Sequence, residues 1–387
     1  MRVLFVTRPL VGHYYPMRPL MGALADAGDE VALATGEPLA SAAAHDGIVV
    51  HRVGLANDDP AVVHNRSILQ RLPPAELRRF AFSDWFVLTE MPPRVRDLEA
   101  VIDRCDPDLI IHETAEFAAP LVASVHGIPY ATHAYGPLLR RDAALSAGTA
   151  AAPFWREWHL EPHPYAGLYR HLYLDICPPS LQTADIADID AVQQVGPPSD
   201  QVQGPPPPWL GDLTRQPIVY VTLGTVFNRD HRVFSTVLEG LQQHAVNVVV
   251  TVGPNNDPAS LGVQPPNVRV HRFIEQDQLL PLCSMAVVHG GAGTTFGALS
   301  WGVPLVVVPQ SADQFFNAEQ VAAAGAGIAL MPDDQNADSV HEAARALLHD
   351  DTFRNAARRV QHEFAAMPRP AEVRDTLQDL AERRRQD

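Results

Sequence analysis

Short runs of continuous apolar, largely β-branched residues alternate along this chain with longer stretches whose apolar positions recur at helical spacing. Val3–Thr7 (VLFVT) is the first such run. A loop and a helix from about Pro16 to Gly28 follow, Pro16 suiting a first helical turn, and a second strand comes almost at once at Val31–Ala34. The second half opens in the same way. Ile218–Leu223 (IVYVTL) leads through Gly224–Thr225 to a helix near Arg232–His244 and then to a strand at Asn247–Val252. Strands that are apolar without alternation are buried on both faces, so the pattern predicts parallel sheets covered by helices on either side. Two such units in tandem predict an α/β protein of two doubly wound, Rossmann-like domains.

The predicted boundaries follow from composition. Gln201–Asp212 (QVQGPPPPWLGD) holds four consecutive prolines, which favour an extended linker. Domains over 1–200 and 215–368 therefore flank a Pro-rich linker over 201–214. A charged amphipathic helix over 369–387 closes the sequence, and the N-terminal domain is one surface on which it can pack. Trp209 is either a hinge anchor or, the more economical reading, a packing residue. Two stretches, Leu55–Cys105 and Gly136–Pro179, do not fit the regular alternation. The second carries Phe154, Trp155, Trp158, Tyr165, Tyr169 and Tyr173, which either line a pocket for a hydrophobic ligand or pack loops onto the sheet.

With 387 residues, 46% apolar and 19% charged, the chain can bury two cores and is not a disordered one. Its net charge of −16 repels phosphate backbones and argues against a nucleic-acid partner. Any nucleotide must be held by a local set of backbone N–H groups and a few side chains. Cys105, Cys177 and Cys283 are far apart and make no metal-ligand spacing, which fits free thiols in a reducing compartment. The opening MRVLFVTRPL is too short an apolar run for a signal peptide, and no stretch reaches about 18 uninterrupted apolar residues. A cytoplasmic protein without a membrane anchor is expected.

Met285–Asn317 (MAVVHGGAGTTFGALSWGVPLVVVPQSADQFFN) is the most informative segment. Met285–Val288 reads as a buried strand, His289–Gly293 as a tight glycine loop and Thr294–Trp301 as a helix. A glycine-rich turn from a strand into a helix presents N–H groups at the positive end of the helix dipole, an anion site by construction. Glycines at 290, 291 and 293 let the backbone approach a phosphate, and His289, Thr294 and Thr295 can add donors. The GK[ST] ending of a P-loop is missing, and GAGTTFG lacks the GxGxxG spacing of nicotinamide binders. A further buried strand, Leu305–Pro309, precedes Asp313, Gln314 and Asn317. A carboxylate beside an amide at a strand's carboxyl end suits the reading of sugar hydroxyls; a helix N-cap is the other reading of Asp313.

Taken in order, Phe273, Gln276, His289-Gly-Gly-Ala-Gly-Thr294 and Asp313-Gln314 resemble the nucleotide-sugar signature of family 1 glycosyltransferases. The similarity is greatest to bacterial enzymes that decorate polyketide and other antibiotic aglycones, often from dTDP-deoxysugars, and it runs from the first strand to the last helix. It implies a GT-B fold, two Rossmann-like domains facing a deep cleft, with acceptor bound by the N-terminal domain and donor by the C-terminal one. It further implies that Phe273 and Ile274 meet the base, one by stacking and the other by main-chain contacts. By the same resemblance, Gln276, His289, Gly291, Gly293 and Thr294 hold the nucleotide diphosphate, approached by the Gly224–Thr225 turn, and Asp313 and Gln314 bind the transferred sugar. Plant members carry a ribose-gripping Glu where this chain has Gly297, a departure that leans toward the dTDP-using branch.

After the first strand comes Gly12-His13-Tyr14-Tyr15-Pro16. A histidine alone there is as readily a capping residue, but GHxxP matches the catalytic loop of the same family. Attack by a hydroxyl requires a base, and imidazole titrates in the right range. Glu113, at the end of the strand in Pro107–Thr114, is the candidate to orient His13, with His112 and Glu116 as rivals. Family members commonly have Asp at this position. The expected reaction is inverting transfer of a (deoxy)sugar from a dTDP- or UDP-sugar to a hydroxyl of a small hydrophobic aglycone. No cofactor and no metal are expected: Asn57-Asp58-Asp59 and Asp333-Asp334 read as solvated turns. Phe154, Trp155 and Trp158 are the candidate acceptor contacts. A nucleotide-sugar and an aglycone are the expected partners, with no nucleic acid and no membrane; a homodimer is compatible. Alternatives of the same fold are a nucleotide-sugar 2-epimerase and a non-catalytic activator of another transferase.

Overall fold

The computed structural model describes residues 1–69, 71–198, 207–213, 217–224, 231–254 and 256–382. It divides into two compact units, one of Met1–Cys177, Thr183–Pro198 and Pro368–Asp387, the other of Pro178–Gln182 and Ser199–Met367.

The first unit holds a seven-stranded sheet of β1 (Arg2–Val6), β2 (Glu30–Thr35), β3 (Val49–Arg52), β4 (Leu109–Glu113), β5 (Tyr130–His133), β6 (Leu172–Asp175) and β7 (Val192–Gln194), in the order β3-β2-β1-β4-β5-β6-β7. Every pairing is parallel. Leu4 and Val6 enter the core on one face while Val3 and Phe5 enter that on the other, which is why this strand shows no alternation. The helix Arg374–Glu382 belongs to this unit: Val373, Leu377 and Leu380 share a core with Leu20 and Leu24. Arg374 donates to both Asp29 oxygens at 2.8 and 3.0 Å, and the amino group of Met1 reaches the same carboxylate at 2.7 Å.

The second unit holds a six-stranded parallel sheet of β8 (Ile218–Thr222), β9 (Asn247–Thr251), β10 (Val268–His271), β11 (Cys283–Val288), β12 (Leu305–Val307) and β13 (Gly327–Ala329), ordered β10-β9-β8-β11-β12-β13. Val219 and Val221 pack with Phe234 and Val237 of the helix His231–Leu241, and with Val340 and Ala344 of the helix Ala337–His349.

Several details depart from the sequence reading. The helix expected over Pro16–Gly28 begins earlier and in pieces: an α-turn at Val11–Tyr14, a 3-10 turn at Tyr15–Met17, then the helix Arg18–Asp26. Pro16 and Pro19 lack the N–H that a continuous ladder needs, so each sits at the start of its own segment. The first irregular stretch is largely helical, with a π-helix at Phe80–Glu90 followed by the helix Met91–Cys105, and the second holds one long helix at Arg141–Glu157. Of the expected linker, 201–206 and 214 lie outside the described residues. Pro208–Leu213 forms a 3-10 turn, and Trp209 stacks on His271 with ring centroids 4.5 Å apart, as a packing residue would. Among the described residues no helix is long and apolar enough to cross a membrane.

Candidate active site

In each sheet the strand order reverses at one place, between β1 and β4 in the first and between β8 and β11 in the second. The carboxyl ends of strands at such a reversal diverge and leave room for a ligand. The candidate chemistry of each unit lies there.

In the first unit the register of β1 on β4 sets Val6 beside His112, so the segment after β1 runs past Glu113. His13 stands on the α-turn Val11–Tyr14, where its own N–H and that of Tyr14 bond back to the carbonyl of Leu10. Its Nδ1 lies 3.2 Å from Glu113 Oε1 along a bent line rather than a straight hydrogen bond. The imidazole stacks on Tyr135 with centroids 4.1 Å apart and planes 19° from parallel, which fixes the ring from the other side. Glu113 is wholly buried and also accepts from the backbone N–H groups of Arg8 and Ala115. Burial works against its charge, but His13, the Ala115 amide and the Arg8 cation outweigh it and hold the carboxyl below its ordinary value.

The two rivals have other duties. His112 bonds the carbonyl of Glu113 and the hydroxyl of Thr132 through its two nitrogens, and burial pushes its pKa down. Glu116 is paired with Arg94 and accepts from Ala118 and Ala119 at the start of the helix Ala118–Val125. Sequence reasoning missed Tyr135 and Arg8. Arg8 is buried, 2.7 Å from Glu90, with its guanidinium 3.6 Å over the ring of Phe86. The available signal was a cation directly after a buried strand, a place where a charge needs a partner.

Of the aromatics assigned to the acceptor, Trp155 is a core residue at 1% exposure, where no acceptor touches it. Phe154 packs partly buried against the same core, and Trp158 lies at the surface. Tyr169 and Tyr173 are core as well. Aromatic spacing alone does not separate a pocket wall from a core.

In the second unit His289 follows β11 and Gly291 is the N-cap of the helix Ala292–Ser300, which begins two residues earlier than its apolar pattern suggested. Gly291 provides no side-chain cap, so the first-turn N–H groups at Ala292, Gly293 and Thr294 face outward at the positive helix end. The His289 ring lies between two glycines. A Cβ on Gly224 would fall 2.5 Å from its Nε2, and one on Gly291 2.4 Å from the same atom. Burial lowers the pKa of His289 to about 4, so at neutral pH it is an uncharged imidazole with one N–H to donate. Gly291→Ala is therefore expected to push the ring out of register and weaken binding of a nucleoside diphosphate about tenfold or more, measurable by calorimetric titration.

Phe273 is 58% exposed, leaving its face open for stacking, whereas Ile274 is buried. Gln276 lies within 3.5 Å of the Tyr220 hydroxyl, and its Oε1 is 3.4 Å from where a Cβ on Gly297 would stand. Thr225 lies outside the described residues. Asp313 does occupy the N-cap position of the helix Gln314–Ala323, but its side chain makes no cap hydrogen bond and is met instead by Asn317 Nδ2 at 3.1 Å. Gln314 is turned inward, its Oε1 accepting from the N–H groups of Gln310 and Ser311. Its oxygen shapes the loop that leads into the helix.

His133, at the end of β5, is also pushed down to about 4 by burial, which outweighs the Ala134 carbonyl and the Glu113 charge. For both His133 and His289 the fold prefers the neutral ring, whereas the unfolded chain protonates near 6.5. Their contribution to stability is thus complete above about pH 6.5 and is lost as the pH falls toward about 4. Thermal melts are expected to show Tm dropping through that window, less steeply in a His133→Gln variant.

A family model described as "Erythromycin biosynthesis protein CIII-like, C-terminal domain" matches residues 235–380. L-demethylnoviosyl transferase of Streptomyces niveus is 33% identical over 97% of this chain and 97% of its own length. Elloramycin glycosyltransferase ElmGT of Streptomyces olivaceus is 32% identical over 96% of each. Among solved structures, spinosyn rhamnosyltransferase SpnG complexed with thymidine diphosphate superposes with a TM-score of 0.83 at 26% identity, over 98% of this chain and 100% of that one. The same enzyme complexed with spinosyn aglycone gives 0.81 at 28% identity, with the same coverage.

Proposed function

The chain belongs to the GT-B natural-product glycosyltransferases, and on that premise we propose that it moves a (deoxy)sugar from a dTDP-sugar to a hydroxyl of a small hydrophobic aglycone with inversion, His13 serving as general base. The observation that carries the mechanism is the approach of His13 Nδ1 to a wholly buried Glu113 at 3.2 Å. Because Nδ1 faces the carboxylate, Nε2 is the nitrogen that takes the acceptor's proton, and Glu113 stabilises the imidazolium that results. The freed oxygen forms a bond to the anomeric carbon from the face opposite the diphosphate, whose oxygen leaves with the bonding pair. Inversion follows from that single displacement.

The second unit supplies what the leaving group needs. The first-turn N–H groups of the helix Ala292–Ser300, the neutral imidazole of His289 and the hydroxyl of Thr294 can each donate to diphosphate oxygens. Hydrogen bonds to a charged group are worth about 1.5–3 kcal/mol each. Phe273 is the stacking surface for the base, and Asp313 and Gln314 read the sugar. A dTDP rather than a UDP donor is supported by the relative seen with thymidine diphosphate and by Gly297, which stands where plant members carry a ribose-gripping Glu.

The test is release of dTDP from a panel of dTDP-sugars with and without polyketide aglycones. Release that depends on an acceptor and is unchanged by EDTA is expected. Conversion of the donor without any acceptor would identify a 2-epimerase instead, and no turnover beside intact dTDP binding would identify an activator.

A further inference from the structure

We propose that Asn317 is the positioning residue that fixes the Asp313 carboxylate relative to the glycine turn at His289, and so converts a diphosphate site into one that discriminates the attached sugar. The inference rests on the reading of Asp313 as the sugar-binding carboxylate.

Asn317 is 2% exposed, and its single Nδ2 donates 2.8 Å to the carbonyl of Gly290 and 3.1 Å to Asp313 Oδ2. Both partners are acceptors, so the amide has one tolerable orientation; turned over, it would set its own oxygen against them. The residue stands one helical turn after Asp313, with its backbone N–H bonded to the Asp313 carbonyl at 3.0 Å, which brings the two side chains to the same face. Gly290 completes the arrangement. At φ 88° it is in the left-handed region, and a Cβ there would fall 2.9 Å from the Gln314 carbonyl oxygen. The start of the helix Gln314–Ala323 is therefore seated on the turn itself, and Asn317 joins that seat to the carboxylate.

A cost accompanies this geometry. Asn317 Oδ1 is buried with no donor opposite it. A buried acceptor left open disfavours the folded chain, and an apolar side chain would avoid the penalty. What an apolar residue would lose is the double donation by Nδ2. An Asp side chain held by such a bond presents its oxygens to sugar hydroxyls from one rotamer, whereas an untethered one must be ordered when the donor binds.

Binding of dTDP and of dTDP-glucose to the full chain, measured by calorimetry, tests the idea with Asn317→Ala, Asp313→Asn and the double variant. Each single change is expected to weaken dTDP-glucose about tenfold while shifting dTDP less than about twofold, and the double variant to be no weaker than either single one. Losses that multiply to about a hundredfold, or an Asn317→Ala chain that loses dTDP and dTDP-glucose alike, overturn the inference. An Asp313→Asn chain that holds dTDP-glucose as wild type does would instead remove the reading on which it rests. Should Asn317→Ala fail to fold, Asn317→Ser gives the same comparison.

Discussion

Replacing His13 by alanine is expected to lower sugar transfer by about 10²–10⁴-fold, the range that a positioned general base supplies, while dTDP still binds with wild-type affinity. The ring is remote in sequence from every donor contact and belongs to the first unit, whereas the glycine turn belongs to the second. The loss should therefore appear in kcat, with little change in the KM for the nucleotide sugar. Near-normal turnover in His13→Ala would return the base assignment to open competition. Raising the pH is not expected to rescue the variant fully, because hydroxide lacks the orientation that Tyr135 and Glu113 impose on the imidazole.

The second large effect concerns stability and separates two glutamates three residues apart. Glu116 is 1% exposed and holds Arg94, itself 2% exposed, whose Nε reaches it at 2.6 Å. Arg94 also donates to the carbonyl of Thr7 at 3.0 Å, the residue after β1. Glu116→Ala leaves that guanidinium buried without its counter-charge and removes the acceptor at the start of the helix Ala118–Val125. A loss of about 3–5 kcal/mol is expected, seen as a fall in Tm on the order of 10 °C. Glu113→Gln should instead keep much of the stability and lose turnover. If Glu116→Ala melted like wild type, the ion pair would have no part in holding the end of β1.

The alternation of apolar runs with helical stretches carried most of the architecture, because strands buried on both faces leave an unbroken hydrophobic signature. The adjacency of His13 and Glu113, a hundred residues apart, was legible for a topological reason: one follows β1 and the other ends β4, strands that meet where the sheet order reverses. The choice among Glu113, His112 and Glu116 was not legible, since it depends on which way each of these side chains turns as β4 ends. Nor was the α-turn that carries His13, which two prolines divide from the helix after it. The aromatic stretch around Trp155 misled for a different reason. Aromatic residues at helical spacing record that a surface is covered, and the covering layer here is the unit's own core. The bond from Asn317 to Gly290 was hidden too: spacing links Asn317 to Asp313, but only tertiary packing brings the turn at 290 against them.

The meeting of Met1 and Arg374 on Asp29 bears on how the protein is made. A ribosome delivers the chain from one end, yet the layer around Leu20 and Leu24 needs Val373, Leu377 and Leu380 to close it. The portion around Leu20 and Leu24 must therefore wait, with an apolar flank uncovered, until residues as far as Leu380 have been synthesised. Among the described residues, the buried cluster around Val219 and Val221 draws on nothing beyond Leu347, so it can close before the layer around Leu20 does.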